Sequence, residues 1–493
     1  MTDAAAPVPD LSGIPASIPA TDPLAPYDAV LLLSYGGPRR PEDVLPFMRN
    51  ATAGRGVPDS RLLEVSGHYQ GFGGASPINA RNAELRDALQ ARLTERGSTL
   101  PVVVGNRNWH PFVSQALREL ADAGARRVLA LPTAAFGSYS GCRQYREDLA
   151  GAAALLAAGA DGSTGDGFEA DAAARVGGEG GAPVDLTVDK TRPYYNTPGL
   201  LEANVDAIVE AYGALAEQGV AAADVRLVLV THSIPLGMET SSAPTPESDG
   251  ASESAGAGQP AGRPAGPREP GVAADLSTEV SYVAQHRALA AILVPEVARR
   301  LGLEEVESDL VYCSRSGPPQ ARWLEPDVND HLEALAAGQL IDGSPADRPG
   351  GVVVAPFGFI SDHMEVVFDL DTEAAQTARD LGMPYARAAT VGTHPAFVDS
   401  LVDILIERAA VARGEDVHPA STTGVGPFHT VCPPSCCRSG THHPGRHSRH
   451  GADGATHESA AGHQPAAGGS CRPASAEPES LKPASCGRMK EKR

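Results

Sequence analysis

The stretch VRLVLVTHS, residues 225–233, is aliphatic or β-branched at almost every position after Arg226, and it ends on a histidine and a serine. A run of this kind is apolar toward both faces and reads as a strand buried on both sides of a sheet. Working outward, similar runs occur at DAVLLLS (28–34), LPVVVGN (100–106), RRVLALP (126–132), DLVYCSRS (309–316) and GVVVAPF (351–357). Between them lie segments of helical periodicity: NAELRDALQARLTERG (82–97), PFVSQALRELADAG (111–124), LLEANVDAIVEAYGALAEQG (200–219) and SYVAQHRALAAILVPEVARRLG (281–302). Strands alternating with helices of this length predict βαβ units and an open parallel sheet, an α/β fold. Ligands of such sheets lie beyond the carboxyl ends of the strands, where crossovers diverge.

The residues just after each run are accordingly the ones to inspect. They are Ser34-Tyr35-Gly36-Gly37-Pro38, Asn106-Arg107-Asn108-Trp109-His110-Pro111, Thr133, Thr231-His232-Ser233-Ile234-Pro235, Ser314-Arg315-Ser316-Gly317-Pro318 and Ser361-Asp362-His363-Met364-Glu365. Each set alone is compatible with turn and cap chemistry. Together they outline a cleft. The glycines of GGP and GFGGAS (71–76) lack both the Lys-Ser/Thr of a phosphate loop and a G-x-G-x-x-G between strand and helix, so no nucleotide is expected. They serve tight turns or close backbone approach.

His232 is the one titratable ring delivered by its strand, and an ordinary imidazole pKa near 6.5 suits general-base work at neutral pH. The competing role is that of a hydrogen-bonded structural residue. For Glu365 the competing role is specific, because Asp362-x-x-Glu365 fits a capping box at a helix start. If a helix begins there, Glu365, Asp369 and Glu373 fall along one face and Asp371 off it. A line of hard oxygen ligands entering a cleft suits a divalent cation. His363 and Glu365 lie about 200° apart on an ideal helix, so both reach one site only if the helix start is irregular.

Composition limits the rest. The 493-residue chain has length for roughly three domains, but residues 1–26, two stretches near 158–183 and 240–274, and 414–493 are too poor in large apolar side chains to join a core, and are expected to be disordered. A formal net charge of −21 and a pI of about 5.1 leave no basic face for nucleic acid. The N-terminus lacks the pattern of a signal peptide and no apolar run reaches the length of a membrane span, which places the protein in the cytoplasm.

Seven cysteines in a reducing compartment read as core residues, metal ligands or reactive thiols. Cys432-x-x-x-Cys436-Cys437 sits in a segment with no core of its own, which favours metal or cluster ligation over packing. A tetrahedral iron–sulfur or zinc site needs a fourth donor. Cys142 is one candidate, His442 and His443 would suit zinc, and Cys313, inside VYCS, reads as core. Cys471 and Cys486 carry no assignment.

LLLSYGGP, GHYQGFGGASPIN, GNRNWHP, THSIP, SRSGPPQARWLEP and FGFISDHMEVVFDLD occur in that order between about Asp28 and Arg413, and their combination resembles the ferrochelatase family. The resemblance implies two Rossmann-like lobes, each a parallel four-stranded sheet flanked by helices, with a porphyrin in the cleft and ferrous iron as the inserted metal. The lobes would be 27–136 with 394–413, and 137–393 carrying the insertions, followed by a C-terminal segment (414–493) with the cluster cysteines and a tail. It gives His232 the role of accepting pyrrole protons or meeting the metal, with Glu365 paired to it and His363 beside them. Asp369, Asp371 and Glu373 become an acidic row on an irregular, π-type helix. Arg107 supports the pocket, and Tyr35 matches a tyrosine that approaches the metal from the opposite face in the branch using coproporphyrin.

Some members are also similar in carrying a [2Fe–2S] cluster on three C-terminal cysteines and one far upstream, which points to Cys142, Cys432, Cys436 and Cys437. A monomer with transient contacts to neighbouring haem-pathway enzymes is implied as well. Coproporphyrin III is favoured over protoporphyrin IX. The rivals are a cobalt or nickel chelatase and a porphyrin or haem carrier, although a carrier needs neither a proton acceptor nor a carboxylate row.

Overall fold

The computed structural model describes residues 19–54, 56–159, 182–242, 281–315, 321–433 and 436–438. Most of the low-complexity stretches, the Ser316-Gly317-Pro318 turn, His442, His443, Cys471 and Cys486 lie outside the described residues, but the expectation that 1–26 and 414–493 join no core fails at Leu24 and Phe428, which are buried in the largest one.

Among the described residues, eight parallel strands form two sheets. The first consists of β1 (Ala29–Ser34), β2 (Val102–Asn106), β3 (Arg127–Pro132) and β4 (Thr187–Lys190), in the order β2-β1-β3-β4. The second consists of β5 (Val225–His232), β6 (Ser308–Cys313), β7 (Gly351–Ala355) and β8 (Tyr385–Arg387), in the order β6-β5-β7-β8. All six apolar runs of the sequence are strands. The α/β class is therefore as expected, with two four-stranded parallel sheets flanked by helices.

The sequence reading ended the first lobe at residue 136, but the first sheet does not end there. Its edge strand TVDK pairs with β3, Val128 opposite Val188 and Leu129 opposite Asp189. A strand of four half-exposed residues lacks the apolar signature of a central one. The same reason hid the three-residue β8.

The largest core lies where helices Ile78–Glu95, Pro198–Glu217, Tyr282–Leu301 and Pro395–Ala412 pack together and against the sheets, with Leu89, Leu215, Leu289 and Leu405 inaccessible to solvent. Smaller cores cover the other faces: Val113–Asp122 and Gln144–Ala157 on the first sheet, Val328–Ala336 and the segment after β7 on the second. Helix Pro198–Glu217 touches Pro395–Ala412 so closely that a Cβ on Gly199 would stand 1.8 Å from the Ala396 carbonyl oxygen, so only glycine fits there. Among the described residues no helix is long and apolar enough to cross a membrane.

In each sheet one strand has its successors on either side, β1 in the first and β5 in the second. These are the positions at which crossovers diverge. β1 ends at Ser34, just before Tyr35, and β5 ends at His232.

Candidate active site

Parallel register aligns His232 with Cys313 at the ends of β5 and β6, and the Ser233 amide donates to the Cys313 carbonyl at 2.8 Å. A buried polar network holds the backbone before it. The Thr231 hydroxyl lies 2.8 Å from both the Tyr282 hydroxyl and His286 Nε2, and Tyr282 donates to the His232 carbonyl at 3.1 Å. His286 donates from Nδ1 to the Tyr282 carbonyl at 2.7 Å, and burial pushes its pKa down to about 3, so it stays neutral. Gly358 closes over this network; a Cβ there would meet Thr231 Oγ1 at 2.1 Å.

His232 Nδ1 lies 2.5 Å from the Ser233 carbonyl, which can only accept, so the proton is on Nδ1 and the basic lone pair on Nε2. Nε2 faces Glu365 Oε2 at 3.6 Å, a charge contact longer than a hydrogen bond. Burial disfavours the imidazolium, but Glu365, the Ser233 carbonyl and Asp369 outweigh it and raise the His232 pKa. Glu365 responds in the opposite sense: burial raises it, and His232 followed by His363 bring it down to about 2. It is a fixed negative charge at neutral pH.

The capping box does not form. Asp362 is held by Arg387, at 3.2 Å, and by the Thr390 hydroxyl, and His363 is the extended residue from which the helix starts. Being outside the helix, His363 turns back on Glu365, with Nδ1 at 3.7 Å. Burial lowers its pKa. Residues Val367–Ala374 then form a π-helical segment, the irregular helix that the resemblance implied for the acidic residues.

Asp369 and Glu373 continue from Glu365 along this segment. Ser314 donates its hydroxyl to Asp369 Oδ2 from a left-handed backbone, φ 63°, a conformation that costs a non-glycine residue about 1–3 kcal/mol. Burial, with Glu365 and Glu373 adding to it, raises Asp369 to about 7 against the pull of Ser314. Burial also raises Glu373, opposed by His68 and reinforced by Asp327. Asp371 is not brought to this row, because its carboxylate is paired with Arg387 at 2.5 Å.

The first sheet supplies the facing residues. Tyr35 packs edge-on against Phe47 at 6.2 Å and lies under the Arg107 guanidinium at 5.8 Å. Arg107 has a largely buried side chain, paired with Asp148 at 2.5 Å and stacked over Tyr145. It supports Tyr35 rather than opening toward the carboxylates. Burial, then the charge of Glu365, hold the Tyr69 hydroxyl protonated, and Tyr69 packs edge-on against Phe47 at 6.0 Å as Tyr35 does. His68 stacks on Phe368 at 4.1 Å, joining helix Asp59–Gly71 to the π segment. Tyr69 and His68 carried no assignment in the sequence beyond their place in GHYQGFGGASPIN, and Ser314 was singled out only as one of the strand-end residues outlining the cleft.

The thiols meet elsewhere. Cys142 contacts Cys432 and Cys437, and Cys436 contacts the same two, with Cys436 and Cys437 Sγ 3.6 Å apart. Cys432 and Cys437 donate to Cys142, the Lys190 ammonium lies 3.3 Å from its sulfur, and the thiolate is favoured there. Arg143 and Arg146 fix the segment through the Cys436 and Cys432 carbonyls at 3.1 and 3.3 Å, and Cys437 is held at φ 53°. Cys313 is core, as read. Among the described residues no group of three or more His, Cys, Asp or Glu side chains is arranged to hold a metal ion as it stands.

The ferrochelatase family model matches residues 27–409. A protein of Streptomyces griseus named coproporphyrin III ferrochelatase is 43% identical over 413 residues, covering 84% of this chain and 94% of that protein. A Streptomyces coelicolor protein of the same name is 42% identical over 415 residues, with coverage of 84% and 94%. A Rhodopirellula baltica protein named ferrochelatase is 37% identical over 414 residues, again 84% and 94%. A paired His232 and Glu365 at the switch point of one sheet, faced by Tyr35 and Tyr69 and approached by a carboxylate row, is thus found in a chain that belongs to the ferrochelatase family.

Proposed function

We propose that this protein inserts ferrous iron into coproporphyrin III in haem biosynthesis. The observation that carries the reading is the pairing of His232 Nε2 with a permanently charged Glu365 beside Asp369, a carboxyl raised to about 7. Insertion removes two pyrrole N–H protons and delivers Fe²⁺ while it sheds water. His232 takes a proton at Nε2, and the Glu365 carboxylate stabilises the imidazolium. At a pKa of about 2 Glu365 is a poor acceptor, so the share in proton removal that the sequence reading gave it passes to Asp369, which exchanges protons near neutral pH. Glu373 and Asp369 offer the incoming iron hard oxygen ligands in sequence. Tyr35, braced by Arg107, meets the macrocycle from the first sheet. Asp371 acts through Arg387 as a brace of the π segment.

The substrate choice is supported by the Streptomyces relatives and by the chemistry of coproporphyrin, whose four propionates keep it in water and suit a cytoplasmic enzyme. Anaerobic Fe²⁺ insertion, followed by loss of porphyrin fluorescence with coproporphyrin III and protoporphyrin IX in parallel, tests it. Faster turnover of coproporphyrin is expected. Preference for protoporphyrin would overturn the substrate, and turnover of neither would overturn the enzyme.

Ser314→Gly removes the hydroxyl that pulls Asp369 down and also relieves the left-handed backbone. The Asp369 pKa then rises above about 7, and the acid limb of the pH–rate profile is expected to move to higher pH without loss of stability. An unmoved limb would take Asp369 out of the proton path.

We further infer that Cys142, Cys432, Cys436 and Cys437 hold a [2Fe–2S] cluster. Four sulfurs at one buried place, with no carboxylate among them, are the donor set that iron–sulfur clusters take. When bound, the cluster supplies one-electron redox chemistry and ties the C-terminal segment to the body of the protein; iron insertion is routed through none of these cysteines. Iron and sulfide in equal amounts in anaerobically purified protein are expected, and zinc without sulfide would overturn this.

A further inference from the structure

His429, three positions before Cys432, is 6% exposed, and among the described residues neither of its ring nitrogens has a hydrogen-bond partner. A neutral imidazole carries one N–H and one lone pair, and burying such a donor unpaired is unfavourable. The ring is not free to escape. Phe428 before it is packed on Gly137, where a Cβ would stand 2.7 Å from Phe428 Cζ, and Thr430 after it donates to Glu407 at 3.0 Å. The charges that act on the ring come from Cys436 and Cys142, two members of the thiol group on opposite sides of its ring of contacts. None of the four thiols accepts from either nitrogen, so a fixed, buried donor near the thiol group is left without an acceptor until the group takes up further sulfur.

We propose that His429 donates its ring N–H to a sulfur of the metal centre held by Cys142, Cys432, Cys436 and Cys437, and so tunes that centre's reduction potential. This rests on the cluster reading above. Hydrogen bonds to cluster sulfurs are one of the protein's means of setting the potential. Reduction adds negative charge, which an N–H donor stabilises, so the donor raises the potential. His429 takes no ligand position and no part in iron insertion.

The test uses full-length wild type, His429→Phe and His429→Gln, each purified without oxygen. Iron and sulfide are assayed, spectra are recorded in both redox states, and potentials are measured by dye titration. The expected result is a cluster in all three. Without the N–H, His429→Phe should favour the oxidised form about tenfold more than wild type, about 59 mV for one electron. His429→Gln keeps an N–H and should lie between the two. Equal potentials in wild type and His429→Phe would overturn the proposal. So would loss of the cluster from both variants while wild type retains it, because His429 would then be needed to hold the metal. Absence of sulfide from wild type would overturn the cluster reading itself, an outcome the sulfide assay separates from the others.

Discussion

His232→Ala is expected to slow iron insertion by about 10²–10⁴-fold, the range for removing a positioned general base, with its circular dichroism and melting temperature close to wild type. The size follows from what remains. Glu365, at about 2, does not hold a proton at neutral pH, and His363 is lowered by burial, so neither replaces an imidazole whose pKa is raised. The fold is spared because the ring's contacts are with Glu365 and the Ser233 carbonyl at its own strand end, none of them part of the core. The load on that strand is carried by Thr231, Tyr282 and His286. An alanine variant that keeps most of the activity would remove His232 from the mechanism. Glu365→Gln provides the complement: it removes the charge that stabilises the imidazolium, so the His232 pKa falls toward its ordinary value and activity drops with it.

Arg192→Met is expected to cost about 3–5 kcal/mol of stability, read as a lower denaturant midpoint, since breaking a buried ion pair strands its partner. The Arg192 side chain is fully buried and grips Glu407 with two nitrogens, at 2.8 and 3.0 Å, while also donating to the Ala420 and Pro193 carbonyls. Thr430 donates to the same carboxylate. One guanidinium thus joins the end of the first sheet, helix Pro395–Ala412 and the approach to the cysteines. A double variant, Arg192→Met with Glu407→Leu, should recover much of the loss, because no charge is left buried without a partner. A single-variant loss below about 1 kcal/mol would mean that the pair contributes little against its desolvation.

The strands that the sequence showed plainly are those buried on both faces, where every position had to be apolar. TVDK and Tyr385–Arg387 were hidden because an edge strand can be short and half polar. His232 and Glu365 stood out as polar residues where apolar runs stop. Helical spacing already set Asp371 off the face of Asp369 and Glu373, and the resemblance returned it to the row; Arg387, sixteen positions on, holds its carboxylate elsewhere. Tyr69 was not singled out, and Ser314 was placed at the cleft without a role, since a tyrosine on a surface helix and a serine after a strand acquire their roles only when a distant carboxylate arrives beside them.

The thiol group joins parts of the chain that are made far apart in time. Arg143, next to Cys142, and Cys436 are separated by 293 positions. A ribosome has therefore produced both sheets, His232, Glu365 and the carboxylate row before Cys432 emerges. A chain released early, or clipped by a protease ahead of Cys432, retains every residue assigned to iron insertion yet offers one sulfur in place of four. Whether the four are together is thus a report on the completeness of the polypeptide, written in a place that the insertion chemistry does not use.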